Sequence, residues 1–166
     1  DNPFNPGEKV VALPVPQIDT AIVHVHQASP DGTARILGSE FNDIDIAMAA
    51  KKTIITCEEL VSNEEIRREP AKNSIPDFCV DAVVHAPYGA HPSQCYDYYD
   101  YDIPYFKEYD AASKTDEGFK NFVNKYVYGV NSHEEYLEVI GANRLSRLKV
   151  TPGYGFSVDL SKEAAK

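Results

Sequence analysis

Two runs of residues constrain the fold of this 166-residue chain more than any other feature. Thr53-Ile54-Ile55-Thr56-Cys57 and the stretch from Cys79 to His85 are apolar without the alternation of a half-solvated strand. A strand apolar on both sides is buried on both faces, and sheets built that way are mostly parallel, with helices above and below. Asn42 or Asp43 can cap a short helix running to Ala50, with Ile44, Ile46, Ala47 and Ala50 as its apolar stripe, so that this helix and Thr53 to Cys57 make an αβ unit. Ser62-Asn63-Glu64-Glu65 is a capping box, whose serine oxygen accepts from the backbone three residues on, and it opens a short helix that Pro70 ends. The predicted class is α/β, a mostly parallel sheet flanked by helices, with a helical C-terminal part.

Lys9 to Leu13 and Thr20 to Gln27 also read as β-branched strands. Ser29-Pro30-Asp31-Gly32 reads as a type I turn followed by a bulge, and Thr33 to Leu37 as the returning strand of a hairpin. From Pro104 onward the period becomes helical. Phe106 to Ala112 and Asp116 to Tyr128 predict helices, the second through Phe119, Phe122, Val123, Tyr126 and Val127. Ser132-His133-Glu134-Glu135 is a second capping box, and Gly141 stops its helix after Ile140. A basic segment, Arg144 to Lys149, leads into Thr151-Pro152-Gly153-Tyr154-Gly155-Phe156 and a polar tail. The expectation is one domain over 1–166, with an α/β part to residue 103 and a helical part with its tail from 104.

Charge removes several functions. With 26 acidic and 16 basic residues the net charge is -10, which repels a phosphate backbone and an anionic lipid surface, so neither nucleic acid nor membrane is expected as a partner. No apolar run reaches the roughly 18 residues of a membrane span, and the start Asp1-Asn2-Pro3-Phe4 lacks the basic and hydrophobic regions of a secretory signal. Cys57, Cys79 and Cys95 are odd in number and widely spaced, which fits reduced thiols in a cytoplasm rather than a disulfide framework or a zinc pair.

The chemistry-bearing residues concentrate where the sheet grammar gives way to helices. Tyr88 to Tyr105, YGAHPSQCYDYYDYDIPY, carries six tyrosines. Its first part begins at the carboxyl end of a predicted central strand, where α/β sheets place ligands, and Tyr88, Gly89, His91, Ser93 and Gln94 supply flexible backbone and polar groups there. Tyr96 to Tyr105 reads as a surface packed on a neighbouring protomer, with its aspartates as a solvated rim. Elsewhere the structural reading is the stronger. His24 and His26 share a strand face with no evident third ligand, so they read as hydrogen-bonded structural histidines. Pro92 disfavours a helical contact between His91 and Cys95 and so weakens a nucleophile pair. Gly153 and Gly155 precede no helix and make no phosphate cradle. Glu58-Glu59 and Glu64-Glu65 read as structural carboxylates at a strand end and in a first helical turn.

Five stretches carry a resemblance over nearly the whole chain: DNPFNPGEKVVALPVPQ, HQASPDGTARILG, TCEELVSNEEIRREPAKNSIP, CVDAVVHAPYGAHPSQCY and RLKVTPGYGF. In these the chain resembles the α subunits of family I CoA-transferases, the glutaconate type in particular. The resemblance implies the C-terminal portion of such a subunit, its preceding segment bearing a glycine-rich strand and loop; Asp1 in place of Met agrees. It implies CoA transfer from acetyl-CoA or a similar acyl-CoA to glutaconate or a related dicarboxylate, with CoA thioesters as substrates and no permanently bound cofactor or metal. The nucleophilic glutamate is then expected on a partner β subunit, other α subunits complete the oligomer, and no catalytic residue is expected in this chain. The substrate-binding candidates remain Tyr88, Gly89, His91, Ser93 and Gln94. Two other readings are a component of a related hydrolase that acts on a ring-cleavage CoA thioester, and a non-catalytic structural module of the oligomer.

Overall fold

The parallel frame that the apolar runs require is present. A computed structural model describes residues 1–11, 13–14, 16–151, 154 and 156–157. Strand β1 (Ile18–Ala28) lies parallel to β3 (Ala50–Leu60), from Ile18 opposite Ala50 to Ala28 opposite Leu60. Strand β4 (Ala82–His85) continues the parallel sheet beside β3, and β2 (Ala34–Arg35) returns antiparallel on the other edge, giving the order β2-β1-β3-β4. The sheet is mostly parallel and is flanked by helices.

Local chemistry sets where each strand stops. The turn after β1 closes through Ser29 N–H to Thr33 O and Gly32 N–H to Ser29 O, both 2.9 Å, with Gly32 at φ +106°, which glycine adopts without a Cβ penalty. The returning strand is two residues long rather than the five expected from Thr33 to Leu37. The amides of Ile36 and Leu37 are taken instead by Ser74 Oγ at 3.1 Å and His26 Nδ1 at 3.0 Å. Strand β4 starts three residues later than the sequence suggested, because 77–79 form a 3-10 turn and Asp81 binds Thr53 twice, through its carboxylate and its amide. Residues 9–11 and 13 are exposed and carry no strand, against expectation.

The alternate residues of the strands divide the sheet into two unlike faces. On one, Val23, Val25, Ile55 and Cys57 pack with Ala28, Ala34, Ile75 and with Ala47 of helix α1 (Asp43–Ala49). Each large aliphatic side chain there contributes about 1.5–3 kcal/mol by leaving water. The other face is covered by residues following β4 only near the carboxyl ends of the strands. Further back Ile22 and Val84 are 70% and 46% exposed. The expectation of two buried faces therefore fails for β4, whose Ala82, Val84 and His85 are exposed among the described residues.

Helix α2 (Asn63–Arg68) starts where its capping box predicts, with Ser62 Oγ accepting the Glu65 amide at 3.1 Å. Helix α3 (Ile103–Ala112) is capped by Asp102, and α4 (Asp116–Val123) is capped by Thr115 and runs into one π turn over 124–128. Helix α5 (His133–Ile140) is capped by Ser132, and Gly141 at φ +90° separates it from α6 (Ala142–Leu148), a helix the basic segment did not announce. Phe122, Tyr126, Ile140 and Leu145 form the core of this part. No helix of the described residues is long and apolar enough to cross a membrane.

Candidate functional site at the carboxyl ends of the strands

The polypeptide leaves β4 at His85 and turns back over the ends of β1 and β3. Tyr88 adopts φ +60°, a left-handed conformation that a bulky side chain resists. Its ring stacks 4.8 Å from that of Tyr99 and packs against both the helical core and the small cluster of Cys95, Tyr99 and Leu148. The loop is thus wedged between the sheet and the helices.

Beneath it lies Glu58, buried near the end of β3. Its Oε1 accepts from His24 Nε2 at 2.7 Å and from the Tyr99 hydroxyl at 2.5 Å, and its Oε2 accepts the Tyr88 amide at 2.8 Å. Burial alone raises a carboxyl group's pKa. Here the three donors outweigh it and hold Glu58 below the ordinary carboxylate range. The same burial, with Glu58 alongside, pushes the Tyr99 hydroxyl up and the Cys95 thiol up to about 12. The His24 ring is oriented by Thr56 Oγ1 on Nδ1 at 2.8 Å.

His24, Glu58 and Cys95 place ligand-type atoms within 4.8 Å of one another. His24 Nε2 and both Glu58 oxygens are already engaged in hydrogen bonds, and the Cys95 thiol is held protonated. The donor set therefore suits protons better than a cation. His26 stands apart from His24. Its Nε2 donates to Tyr96 O at 2.9 Å while Nδ1 accepts the Leu37 amide, and burial lowers its pKa, so it is a neutral structural imidazole.

A second buried network anchors the middle of the loop. His91 Nε2 meets Asp102 Oδ2 at 2.9 Å, and Nδ1 meets the Tyr136 hydroxyl at 2.6 Å. Arg144 of α6 reaches Asp102 Oδ1 through Nη2 at 2.7 Å, and Asp102 Oδ1 also accepts the Tyr105 amide at 3.0 Å. Burial lowers the His91 pKa, and Asp102, despite its burial, is held low by Arg144, His91 and the Tyr105 amide. His91 and Cys95 do not pair, since both imidazole nitrogens are occupied elsewhere.

The structure brings together Tyr88, Gly89, His91, Ser93 and Gln94 in one turn, in different roles. Gly89, Ser93 and Gln94 are exposed, Tyr88 is half-buried, and the His91 side chain is fully buried. The open end can offer a hydroxyl, an amide and free backbone to a carboxylate or thioester. The Glu58 carboxylate beneath it is engaged on both oxygens and shielded from solvent.

Glu58, read from the sequence as a structural carboxylate at a strand end, is the hydrogen-bonded centre below the loop. One expectation is corrected. Asp100 and Asp102 are not a solvated rim, being 7% and 0% exposed, and Tyr99 points inward at 2% while Tyr96 and Tyr101 face out. A carboxylate directly after a continuous apolar strand was the signal that marks Glu58. Asp102 before Ile103-Pro104 is the start signal of a helix. Gly153 and Gly155 lie outside the described residues.

Comparison with known proteins adds a second line of argument. Residues 4–86 match the family model described as coenzyme A transferase. The chain is 63% identical over 163 residues to a glutaconate CoA-transferase polypeptide of Acidaminococcus fermentans, covering 98% of this chain and 51% of that one. The crystal structure of glutaconate coenzyme A-transferase from the same organism superimposes with a TM-score of 0.92 over 98% of this chain and 51% of the solved one. The cholesterol ring-cleaving hydrolase IpdA subunit of Rhodococcus jostii is 33% identical over 134 residues, 78% of this chain and 44% of that subunit. The chain thus spans about half the length of the curated relatives it matches.

Proposed function

This chain belongs to the coenzyme A transferase family, and from that premise we propose that it forms one wall of the substrate site in an αβ enzyme moving CoA from acetyl-CoA, or a similar acyl-CoA, to glutaconate or a related dicarboxylate. The observation that carries the reading is the 63% identity, with a TM-score of 0.92, to the glutaconate enzyme's chain. CoA thioesters are then the substrates, and a β subunit is the partner.

The chemistry divides between the two polypeptides. A glutamate carboxylate held by the β subunit makes the first attack, on the thioester carbonyl, forming a mixed anhydride and releasing CoA thiolate. The thiolate then attacks the glutamyl carbonyl of the anhydride, giving an enzyme thioester and freeing the donor acid as its carboxylate. The acceptor carboxylate repeats the two steps in reverse. Each tetrahedral oxyanion needs fixed hydrogen-bond donors, and water must be kept from the anhydride. In this division of labour the loop from Tyr88 to Gln94 closes one side of the site. Ser93, Gln94 and the backbone at Gly89 orient the acid, while Tyr88 and His91 shape the loop from below.

The test is to assemble the chain, together with the preceding α segment that the resemblance implies, with a β-type subunit, supply acetyl-CoA and glutaconate, and follow the products; the chain without them is expected to be inactive. The expected outcome is glutaconyl-CoA and acetate in equal amounts with no net loss of thioester. Net thioester loss, or turnover of a ring-cleavage CoA ester in place of glutaconate, would favour the hydrolase reading that the 33% identity to the ring-cleaving subunit offers. No turnover with a competent β subunit would leave a structural module.

A further inference from the structure

The geometry points to Glu58 as a positioning residue: a buried carboxylate that sets the conformation of the loop wall and, through it, the binding of the dicarboxylate, without touching substrate. This rests on the reading of Tyr88 to Gln94 as that wall.

Each hydrogen bond Glu58 receives bears on the loop. The Tyr88 amide, on Oε2 at 2.8 Å, secures the residue with the left-handed backbone. The Tyr99 hydroxyl donates to Oε1 and at the same time accepts the Ala90 amide at 2.9 Å, so residues 88 and 90 both depend on one carboxylate. His24, the third donor, forms the floor below Gly89, where a Cβ would stand 2.6 Å from the ring.

An ionised carboxylate is an expensive way to fill buried space, and apolar side chains of similar volume commonly serve as well or better. Its presence under a backbone outlier follows the pattern of strain maintained where a site needs one loop conformation. Buried beneath the loop and already accepting three hydrogen bonds, Glu58 is shielded from the substrate. Its effect reaches the reaction only through where it puts Gly89, Ser93 and Gln94, and a displacement of about 1 Å in positioning groups can cost on the order of a hundredfold in rate.

The experiment uses the chain joined to the preceding α segment that the resemblance implies and assembled with a β-type subunit, and compares Glu58→Gln, Glu58→Leu and Tyr99→Phe in steady-state transfer from acetyl-CoA to glutaconate. The expected result is a rise of about tenfold or more in KM for the dicarboxylate, larger for Leu than for Gln, which keeps one acceptor oxygen. A merely structural role would shrink the active fraction, lowering kcat at constant KM. If Glu58→Leu does not assemble, Tyr99→Phe decides, since it leaves the carboxylate in place and releases the Ala90 amide. Unchanged KM in both Glu58→Gln and Tyr99→Phe overturns the inference. Ser93→Ala and Gln94→Ala separate it from its premise. If these raise KM while the Glu58 and Tyr99 variants do not, the positioning role falls and the wall stands. If none of them does, the wall reading falls and takes the inference with it.

Discussion

Gly89 shows how little freedom the loop has at the scale of one residue. A Cβ there would meet His24 Cε1 at 2.6 Å, Nδ1 at 2.7 Å and the Ala86 carbonyl at 2.8 Å. The ring cannot swing aside without leaving Thr56 and Glu58, and a backbone oxygen has nowhere to go. Gly89→Ala should therefore cost about 1–3 kcal/mol, the range for forcing extra volume into a packed site. Urea unfolding of variant and parent side by side measures it, and equal midpoints would contradict the packing described. The position of this loop was legible in the sequence, because a polar, glycine-bearing segment after an apolar strand lies where α/β sheets bind ligands. Its support was not. Glu58 is 34 residues from His24, 30 from Tyr88 and 41 from Tyr99. Nothing in local spacing joins them, so the carboxylate looked like one more charged residue at a strand end.

Among the elements, the helices were legible where their own termini announce them. Ser62 and Ser132 accept the amides their capping boxes predict. Helix α6 has no side-chain cap and follows Gly141. It is held by Leu145 and Leu148 in the core and by Arg144 on Asp102, contacts made across the fold. The Asp102 network thus ties α3, α5, α6 and the loop together, and its protonation has a definite sign. His91 has a folded pKa below the ordinary 6.5, so the unfolded chain binds more protons and stability falls as pH drops from about 6.5. Asp102 is held below 3.8, so its contribution is present above that value and is lost as pH falls through the lower folded one. Both effects lie on the acid side. Asp102→Asn should lower stability near neutral pH by about 3 kcal/mol, since it strands a partly buried Arg144, and the gap to the parent should narrow only once pH falls below 3.8, where Asp102 itself takes up a proton. Chemical unfolding followed by far-ultraviolet dichroism across that range tests both points; a variant as stable as the parent at neutral pH would show the network to be dispensable.

For the molecule as a whole, the sheet's two faces are unequally finished. One is a closed core. On the other, Ile22, Ile54 and Ala82 stand in register across three parallel strands, with Val84 on the same face; Ile22 remains largely in water and Val84 nearly half so. Parallel sheets are covered on both sides in complete folds, because their crossovers lay helices there. An uncovered row of this kind can be an ordinary apolar surface or half of a contact, and substitution separates the two. Replacing Ile22 and Val84 together by serine should change the stability of the chain by itself by no more than about 0.5 kcal/mol, the usual scale for exposed positions. A larger loss would mean that the row is already packed. If the row is covered in the assembly proposed above, the same pair of substitutions should lower the yield of complex recovered by size-exclusion chromatography. Full yield would place that contact elsewhere and leave the outward Tyr96 and Tyr101 as the apolar surface to substitute next.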